Sequence, residues 1–594
     1  MIVKERLEKL RALMRENNID AYLVNGCDPH MSEYIPARWA TRAFISGFTG
    51  SAGAVAITQT KAGLWTDSRY FLQSETELKG SGIDLIKMRT PGYPTIEEWI
   101  KKELKSGEVL GVDGETLPLN TLWSLNEAFA SKNISINYNL DLLDPIWEDR
   151  PAFPNTIAEE HPVEMAGLSR ADKLKLIRAK LADKGADLQI ISALDDLAWT
   201  FNLRGQDVDY NPFLMAYAVV STHEADLFCY PEKISSQLRS KLEGEGIRLH
   251  SYEDLNKSIG KISSNKTIYI DPARISASVF SAIPSDCPKV YGISIPCSLK
   301  ACKSEGEIRN LHNVMQKDGV AMVKFLYWLD NAIGKEPLTE YSLVDKLDKF
   351  RREQPGNRGP SFFPIIGYAE HGAVVHIKVN PQNALPLRPE GIVIVDSGGQ
   401  YIDGTTDLTR TIVLGPVNDT MKSDFTLVLK GMIALSEAYF PINTLGYHLD
   451  ILARQFLWKA GLNYGHGTGH GIGYYLAVHE GPMSIRPEFN NVAIEAGMVM
   501  SNEPGLYREG KHGVRTENMM YCVEDQTTEF GTFLKFETLS LCPIDSRCID
   551  PSLLTDLEKK WINEYHQRVY ASLSPFLDED HRQFLAKMTK EITQ

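Results

Sequence analysis

Five residues in the C-terminal half of the chain could together bind metal ions. They are four carboxylates and one imidazole: Asp396, Asp407, His470, Glu503 and Glu517. This set is rich in oxygen, has one nitrogen and lacks sulfur, which suits Mn²⁺, Fe²⁺, Co²⁺ or Zn²⁺. Four carboxylates also offset two dications, and a pair of such ions can activate a shared water and polarise a carbonyl group. The set therefore indicates a metal-dependent hydrolase.

The two aspartates flank a predicted β-hairpin, IVIVDSGGQYIDGTTDLTRTIVLG, with strands Ile392–Asp396 and Asp407–Leu414. Their odd separation can place Asp396 opposite Asp407, with side chains on one face about 5 Å apart. Carboxylates that close repel each other unless a cation lies between them. The alternative is structural, because an aspartate beside a turn often bonds to its own backbone.

The two glutamates flank a second turn, centred on Gly510. Glu503 ends the predicted strand Met498–Asn502, and a carboxylate that leaves a buried strand needs a partner. Arg515 and Glu517 share one face, so a surface hairpin with an Arg–Glu pair is the alternative. The turn also contains Arg508, Lys511 and His512, which make it basic.

Three histidines lie between the two hairpins, in YGHGTGHGIGYYLAVHEGP: His466, His470 and His479. The glycines around the first two exclude a helical HExxH zinc motif. Glycine in this position lets backbone approach a ligand closely. A lone histidine is usually structural, but three so close together favour a functional site.

Composition and length limit the classes of protein that could carry this site. At 594 residues the chain predicts about three or four domains. A formal charge of -14 argues against nucleic acid as a partner, and the absence of a long apolar run argues against a membrane span. The charged N-terminal helix lacks a signal peptide's apolar core, and the eight cysteines are scattered. We therefore expect a cytoplasmic protein.

The N-terminal half alternates helical and strand patterns. "NNID-AYLV" recurs as "KGAD-LQII", which matches Asp20 to Asp187 and predicts a duplication of two α/β domains. The alternative is that any two helix–strand units look alike. The predicted strands are Ala21–Val24, Ala54–Thr58, Ala62–Trp65 and Leu188–Ser192.

The C-terminal half begins with a long predicted helix, from Glu305 to about Ile333. Strands are predicted further on, one of them at His371–Val379, and an amphipathic helix at Leu554–Val569 needs a surface to cover. The Pro-rich segment Asp149–Pro162 predicts a linker, and a second boundary falls near Ser298–Glu305. We predict domains at 1–155, 156–303 and 304–594.

Taken together, these motifs resemble the "pita-bread" metallopeptidases, and within them the Xaa-Pro aminopeptidase (aminopeptidase P) group. The metal-site phrases D-x10-D, HGTGHG, NEPG and RTEN carry the resemblance, and further phrases extend it along essentially the whole chain. These stand at Ser46–Gly53, Trp65–Gln73, Ala193–Val208, Asp403–Thr411 and Gly465–Pro482. The resemblance implies an α/β (α+β) chain with two creatinase-like N-terminal domains, a pita-bread catalytic domain and a homodimer.

The resemblance also implies an activity, the release of an N-terminal residue that precedes proline by attack of a metal-bridging hydroxide. The metals would be two divalent ions, Mn²⁺ in the first place, with Zn²⁺ or Co²⁺ as alternatives. Asp396, Asp407, His470, Glu503 and Glu517 would bind them, and Glu503 would also move a proton. His466, His479 and His376 would act on the substrate or the tetrahedral intermediate, and Arg69 would bind substrate from the first domain.

Three other functions compete with this one. Prolidase shares the five ligands but cleaves only Xaa-Pro dipeptides, and the two N-terminal domains and the long tail argue against it. A non-catalytic binding protein of this fold would typically lack some of the ligands. Creatinase-type amidinohydrolysis uses the fold without this metal set. All five ligands are present here.

Overall fold

The computed structural model describes residues 2–593 and divides into two compact units. The N-terminal unit comprises residues 2–163 and 168–298, and the C-terminal unit comprises residues 164–167 and 299–593. Within the described range, no helix combines the length and apolar character that a membrane crossing requires.

Two six-stranded sheets with the same strand order form the N-terminal unit. On one side of the repeated central strand each sheet has two strands parallel to it. On the other side it has an antiparallel pair, followed by an edge strand parallel to its neighbour. This shared topology confirms the predicted duplication. In spatial order, the first sheet contains Asp84–Lys87, Ala62–Thr66, Ala54–Thr58, Ala21–Val24, Val109–Val112 and Ser135–Asn137, and the second contains Ile247–His250, Ala225–Phe228, Tyr217–Ser221, Leu188–Ile191, Ile268–Ile270 and Lys289–Tyr291.

Helices cover the faces of these sheets. The first helix, Val3–Glu16, buries Leu7, Leu10 and Met14, as their helical spacing predicts. A single apolar cluster includes buried residues from both halves, such as Leu110 and Ile268. The other helices are Thr41–Ser46, Phe71–Glu77, Ile96–Glu103, Leu119–Ala130, Arg170–Asp183, Leu194–Phe201, Ser236–Gly244, Leu255–Ile259, Ala277–Ser281 and, at the unit boundaries, Val163–Ala166 and Ile295–Ala301.

The C-terminal unit packs helices around antiparallel sheets. Its helices are Glu305–Ala332, Glu340–Arg352, Asp419–Ser436, Gly446–Lys459, Asp556–Leu573 and Glu579–Met588. The six-stranded sheet contains, in spatial order, Tyr439–Pro441, Gly531–Thr538, Asn518–Thr528, Val499–Asn502, Gly469–Gly471 and Glu480–Ile485. The smaller sheets are formed by Ile365–Tyr368, Ile392–Ser397 and Leu408–Val413; by Asn357–Pro360, Gly399–Tyr401 and Gly404–Thr405; and by Gly505–Arg508 with His512–Arg515.

The long helix Glu305–Ala332 confirms its prediction. It begins with a capping box, in which the Ser304 side chain accepts from the Glu307 backbone and the Glu307 side chain accepts from the Ser304 backbone. The tail helix Asp556–Leu573 buries Tyr565, Val569 and Leu573 within its own chain. The C-terminal part of its apolar face is thus covered within the chain, whereas Leu557 near its start is 78% exposed.

The strand predicted at His371–Val379 was wrong. A short 3-10 helix occupies Ala369–Ala373, and irregular chain follows it. The cause is a buried carboxylate, Glu340, which binds the backbone N–H of Tyr368 and the ring of His371. These contacts turn the chain out of the sheet although the sequence AVVHIKV has high β-propensity.

Candidate metal centre

The strand pairing around Asp396 differs from the predicted one. Asp396 lies opposite Thr409, while Asp407 immediately precedes the strand Leu408–Val413. The connection between the two strands contributes the separate short strands Gly399–Tyr401 and Gly404–Thr405, which shifts Asp407 out of the paired region. Both aspartates are nevertheless buried.

The other three residues approach Asp407 from different strands. His470, on Gly469–Gly471, places Nε2 3.5 Å from Asp407 Oδ2 and 3.2 Å from Glu503 Oε1. Ligand atoms of Asp407, His470 and Glu517 all lie within 4.8 Å of one another. Glu503 therefore joins this group through His470, and a single small cluster contains four of the five predicted residues.

The glycines of the histidine loop allow backbones to approach one another. A Cβ at Gly469 would lie 2.2 Å from the Ser501 carbonyl oxygen, and one at Gly471 would lie 2.1 Å from the Glu480 carbonyl oxygen. Only glycine fits at these contacts. The glycines on either side of His470 thus allow its short strand to fit between the neighbouring strands.

Arg515 connects Asp396 to the histidine loop. Its Nη2 donates to Asp396 Oδ2 at 2.6 Å, and its Nη1 donates to the Tyr507 hydroxyl at 2.7 Å. The same hydroxyl lies 2.7 Å from His466 Nε2. Because Arg515 and Glu517 are each 1% exposed, the surface hairpin with an Arg–Glu pair is wrong.

Electrostatics in the cluster favour bound cations. Burial, followed by the charges of Glu517 and Asp396, raises the pKa of Asp407 well above its ordinary value. Burial and neighbouring carboxylates likewise raise the pKa of Glu517 and of Asp396. A cation next to such carboxylates would favour their ionised forms.

His470 and Glu503 form a charged pair. Although burial opposes it, the hydrogen bond and charge of Glu503 raise the pKa of His470 to about 9. Burial alone would raise the pKa of Glu503, but His470, His466 and Arg515 lower it to about 2. Glu503 is therefore an ionised carboxylate at neutral pH.

The donor set fits divalent cations. Among the described residues, Asp396 Oδ1 and Glu517 Oε1 are buried without a hydrogen-bond partner. Buried carboxylate oxygens require a partner, either a donor or a metal. Oxygen-rich ligands together with one imidazole suit the divalent first-row ions predicted from the sequence.

Two residues that support the site had not been singled out from the sequence. The Thr409 hydroxyl donates to Glu517 Oε2 at 2.7 Å. Arg410, which is 2% exposed, donates to the Glu517 carbonyl at 2.6 Å and to the Tyr565 hydroxyl at 2.8 Å. The sequence could have indicated both residues, because polar side chains in a buried strand beside the candidate ligands require hydrogen-bond partners.

The remaining predicted residues differ in their surroundings. The His479 ring lies 4.3 Å from the His470 ring at an angle of 78°. His376 lies partly buried in the irregular segment after Ala369–Ala373. Arg69 lies in the N-terminal unit, where it binds Asp67 with Nε–Oδ1 and Nη2–Oδ2 distances of 2.8 and 2.7 Å. Their roles stay predictions.

The basic turn is largely neutralised within the chain. Arg508 binds both oxygens of Asp424 at 2.6 and 2.7 Å, and His512 Nε2 lies 2.8 Å from the same carboxylate. Lys511 alone extends into solvent. The basic character predicted for this turn therefore rests on one exposed lysine.

A buried carboxylate–histidine centre held by antiparallel strands defines the C-terminal unit as a metal-dependent hydrolase. The "Metallopeptidase family M24" model matches residues 309–524, and the "C-terminal region of peptidase M24" matches 532–592. Two models of the "Creatinase/Prolidase N-terminal domain" match residues 6–144 and 149–307.

Full-length relatives agree with these matches. A probable Xaa-Pro aminopeptidase P of Paracoccidioides brasiliensis is 40% identical, with 99% of each chain covered. Aminopeptidase P2 of Arabidopsis thaliana is 38% identical over 97% of this chain and 87% of its own. The chain belongs to metallopeptidase family M24, with two creatinase-like domains ahead of a pita-bread catalytic domain.

A solved structure extends the similarity to the fold. It is the X-prolyl aminopeptidase of Caenorhabditis elegans, described as a cytosolic enzyme with a di-nuclear active site. It is 32% identical to this chain, covers 100% of both chains and gives a TM-score of 0.96.

Proposed function

We propose that this chain is a Xaa-Pro aminopeptidase that releases the N-terminal residue from peptides with proline in the second position. The observation that carries the proposal is the cluster of Asp407, His470, Glu503 and Glu517 together with the buried Asp396, in a chain whose full-length relatives bear that enzyme's name. A protein that bound no metal here would bury several carboxylates without a compensating charge, which is energetically costly.

The five residues would hold two divalent ions. Such ions supply a Lewis acid for the scissile carbonyl and an activated water at neutral pH. Mn²⁺ is the proposed ion because carboxylate oxygens dominate the ligand set. Arg515 and Thr409 orient the ligands, since they hold Asp396 and Glu517 by one hydrogen bond each.

The remaining steps are assigned to the protein's own side chains. Glu503 takes a proton from the attacking water and returns it to the leaving proline nitrogen. His466 or His479 is assigned the hydrogen bond to the oxyanion that develops. His479 is favoured, because both ring nitrogens of His466 already contact the Gly467 carbonyl and the Tyr507 hydroxyl. His376 contacts the substrate backbone, and Arg69 binds substrate.

Selectivity for proline follows from the chemistry of the Xaa-Pro bond. Its tertiary amide has no N–H, and the proline ring fixes φ. A peptidase that binds an extended strand loses a hydrogen bond there, so a dedicated site is required. Xaa-Pro-Yaa peptides are the proposed substrates.

The proposal also covers the cellular location of the enzyme, its oligomeric state and its domain boundaries. The enzyme acts in the cytosol, as the C. elegans enzyme does. It forms a homodimer through the catalytic unit, where Trp458 and Phe489 are exposed. Its domains divide at residues 155 and 303, near the matched family regions.

The test compares hydrolysis of Xaa-Pro-Yaa tripeptides with that of Xaa-Pro dipeptides by the Mn²⁺-loaded enzyme. We expect kcat/KM to be far higher for the tripeptide. Cleavage confined to the dipeptide would identify a prolidase instead, and hydrolysis of neither would overturn the proposal.

A further inference from the structure

The N-terminal unit contains a cavity of about 760 Å³, in the size range of small-molecule sites. All of its lining residues belong to that unit and come from both repeated halves. The loops that join the halves are held by backbone hydrogen bonds, from Leu119 to Ile275 and from Ala277 to Leu117, of 3.0 and 2.8 Å. The cavity is therefore preformed.

Aromatic rings line part of this cavity. Tyr230 stacks on Tyr252 with ring centres 5.4 Å apart, and Phe153 meets both rings edge-on, at 4.8 and 5.0 Å. Tyr217 lies 5.1 Å from Tyr252. The Tyr252 hydroxyl is fixed by His30 Nε2 at 2.9 Å. Aromatic faces of this kind attract organic cations.

Five carboxylates and two guanidinium groups complete the charged lining. Arg150 neutralises two of the acids, with 2.5 Å to Asp141 and 2.7 Å to Asp144. Arg38 donates to the Pro151 carbonyl at 3.0 Å. Glu253 accepts from the Tyr230 hydroxyl at 3.1 Å. Negative charge therefore exceeds positive charge.

Two neighbouring carboxylates carry this excess. Asp113 accepts one hydrogen bond, from the Glu115 backbone at 2.9 Å. The Glu115 carboxylate has neither a hydrogen bond nor an ion pair within residues 2–593. Burial, followed by the charges of Asp141 and Glu115, raises the pKa of Asp113 to about 7. A cation in the cavity would reverse that shift.

We propose that this cavity binds a small aliphatic polyamine. Its ammonium groups would pair with Asp113 and Glu115, and its methylene stem would lie against the Tyr230, Tyr252 and Phe153 rings. Two adjacent carboxylates without an ion pair, Asp113 and the exposed Glu115, favour a polycation over a single ammonium ion. The rings favour an organic cation over a hydrated metal ion.

Isothermal titration calorimetry of the full-length, Mn²⁺-loaded protein with spermidine tests this proposal. Prior Mn²⁺ saturation keeps the amine from competing for the metal centre. We expect one saturable site per chain and weaker binding of choline, a monocation. Asp113→Asn/Glu115→Gln should weaken spermidine binding by about tenfold or more, because two charge pairs are lost.

Glu127→Gln/Asp183→Asn is the matched control, since both residues are exposed acids of the same unit outside the cavity. Glu115→Gln alone provides a variant in which no hydrogen bond of the fold is lost, and it should also weaken binding. The proposal is overturned if spermidine shows no saturable binding, if the cavity and control variants bind alike, or if choline binds as tightly as spermidine.

Discussion

Glu340 should control the order of the segment that carries His376. Its carboxylate is fully buried at the first residue of Glu340–Arg352. Oε1 accepts from the Tyr368 backbone at 2.8 Å, and Oε2 accepts from the Leu385 backbone at 2.8 Å and from His371 Nδ1 at 2.8 Å. One side chain thus ties both ends of the irregular segment 369–385.

Glu340→Ala would leave one buried donor, the Tyr368 amide, and two part-buried donors, His371 Nδ1 and the Leu385 amide, without an acceptor. A hydrogen bond to a charged group contributes about 1.5–3 kcal/mol. Removing one member of a buried pair typically costs about 3–5 kcal/mol. Water can enter beside a surface segment and replace part of this loss, so we expect the lower end, about 3 kcal/mol, to appear as local opening rather than global unfolding.

Hydrogen–deuterium exchange and kinetics measure the two consequences. The amides of Tyr368 and Leu385 should exchange about a hundredfold faster, as about 3 kcal/mol implies. A displaced His376 should lower kcat/KM for a Xaa-Pro-Yaa peptide by roughly a hundredfold. Glu336→Ala, an exposed acid shortly before the same helix, is the control. Unchanged exchange at both amides would refute the reasoning, whatever the effect on activity.

Three further substitutions test the metal centre. Glu503→Gln should preserve the melting temperature but lower kcat by about 10²–10⁴-fold, because the proton acceptor is lost; near-normal kcat would exclude that role. Arg515→Met should destabilise the metal-free protein by about 3–5 kcal/mol in urea unfolding, because Asp396 loses its buried partner. Arg352→Met, at an exposed position, should cost less than about 1 kcal/mol. Equal effects of the two substitutions would count against a stabilising Arg515–Asp396 pair. Arg410→Met should weaken Mn²⁺ binding in calorimetry through displacement of Glu517, by about tenfold, and unaltered affinity would contradict this.

The choice of candidate residues could be made from the sequence more readily than their geometry. Residue types and spacing proposed Asp407, His470 and Glu517 as metal ligands, and the structure brings their possible ligand atoms within 4.8 Å of one another. The pairing of Asp396 could not be predicted, because the number of residues between two strands does not reveal how many of them form strands of their own.

Long-range polar contacts could not be predicted from the sequence either. Asp424 neutralises Arg508 and His512 from a helix 84 to 88 residues away. Glu340 overrides the β-propensity of AVVHIKV through contacts 28 and 31 residues distant. Such partners are fixed only by the tertiary fold, whereas the periodicity of Val3–Glu16 or Asp556–Leu573 is local and readable.

Two divalent ions should occupy the centre formed by the four carboxylates and His470. The metal content of the purified protein after Mn²⁺ loading and removal of free ion, measured by inductively coupled plasma mass spectrometry, shows whether they do. We predict two bound ions per chain, and fewer for Asp407→Asn. An absence of stoichiometric metal, or identical metal content in the variant, would contradict this prediction.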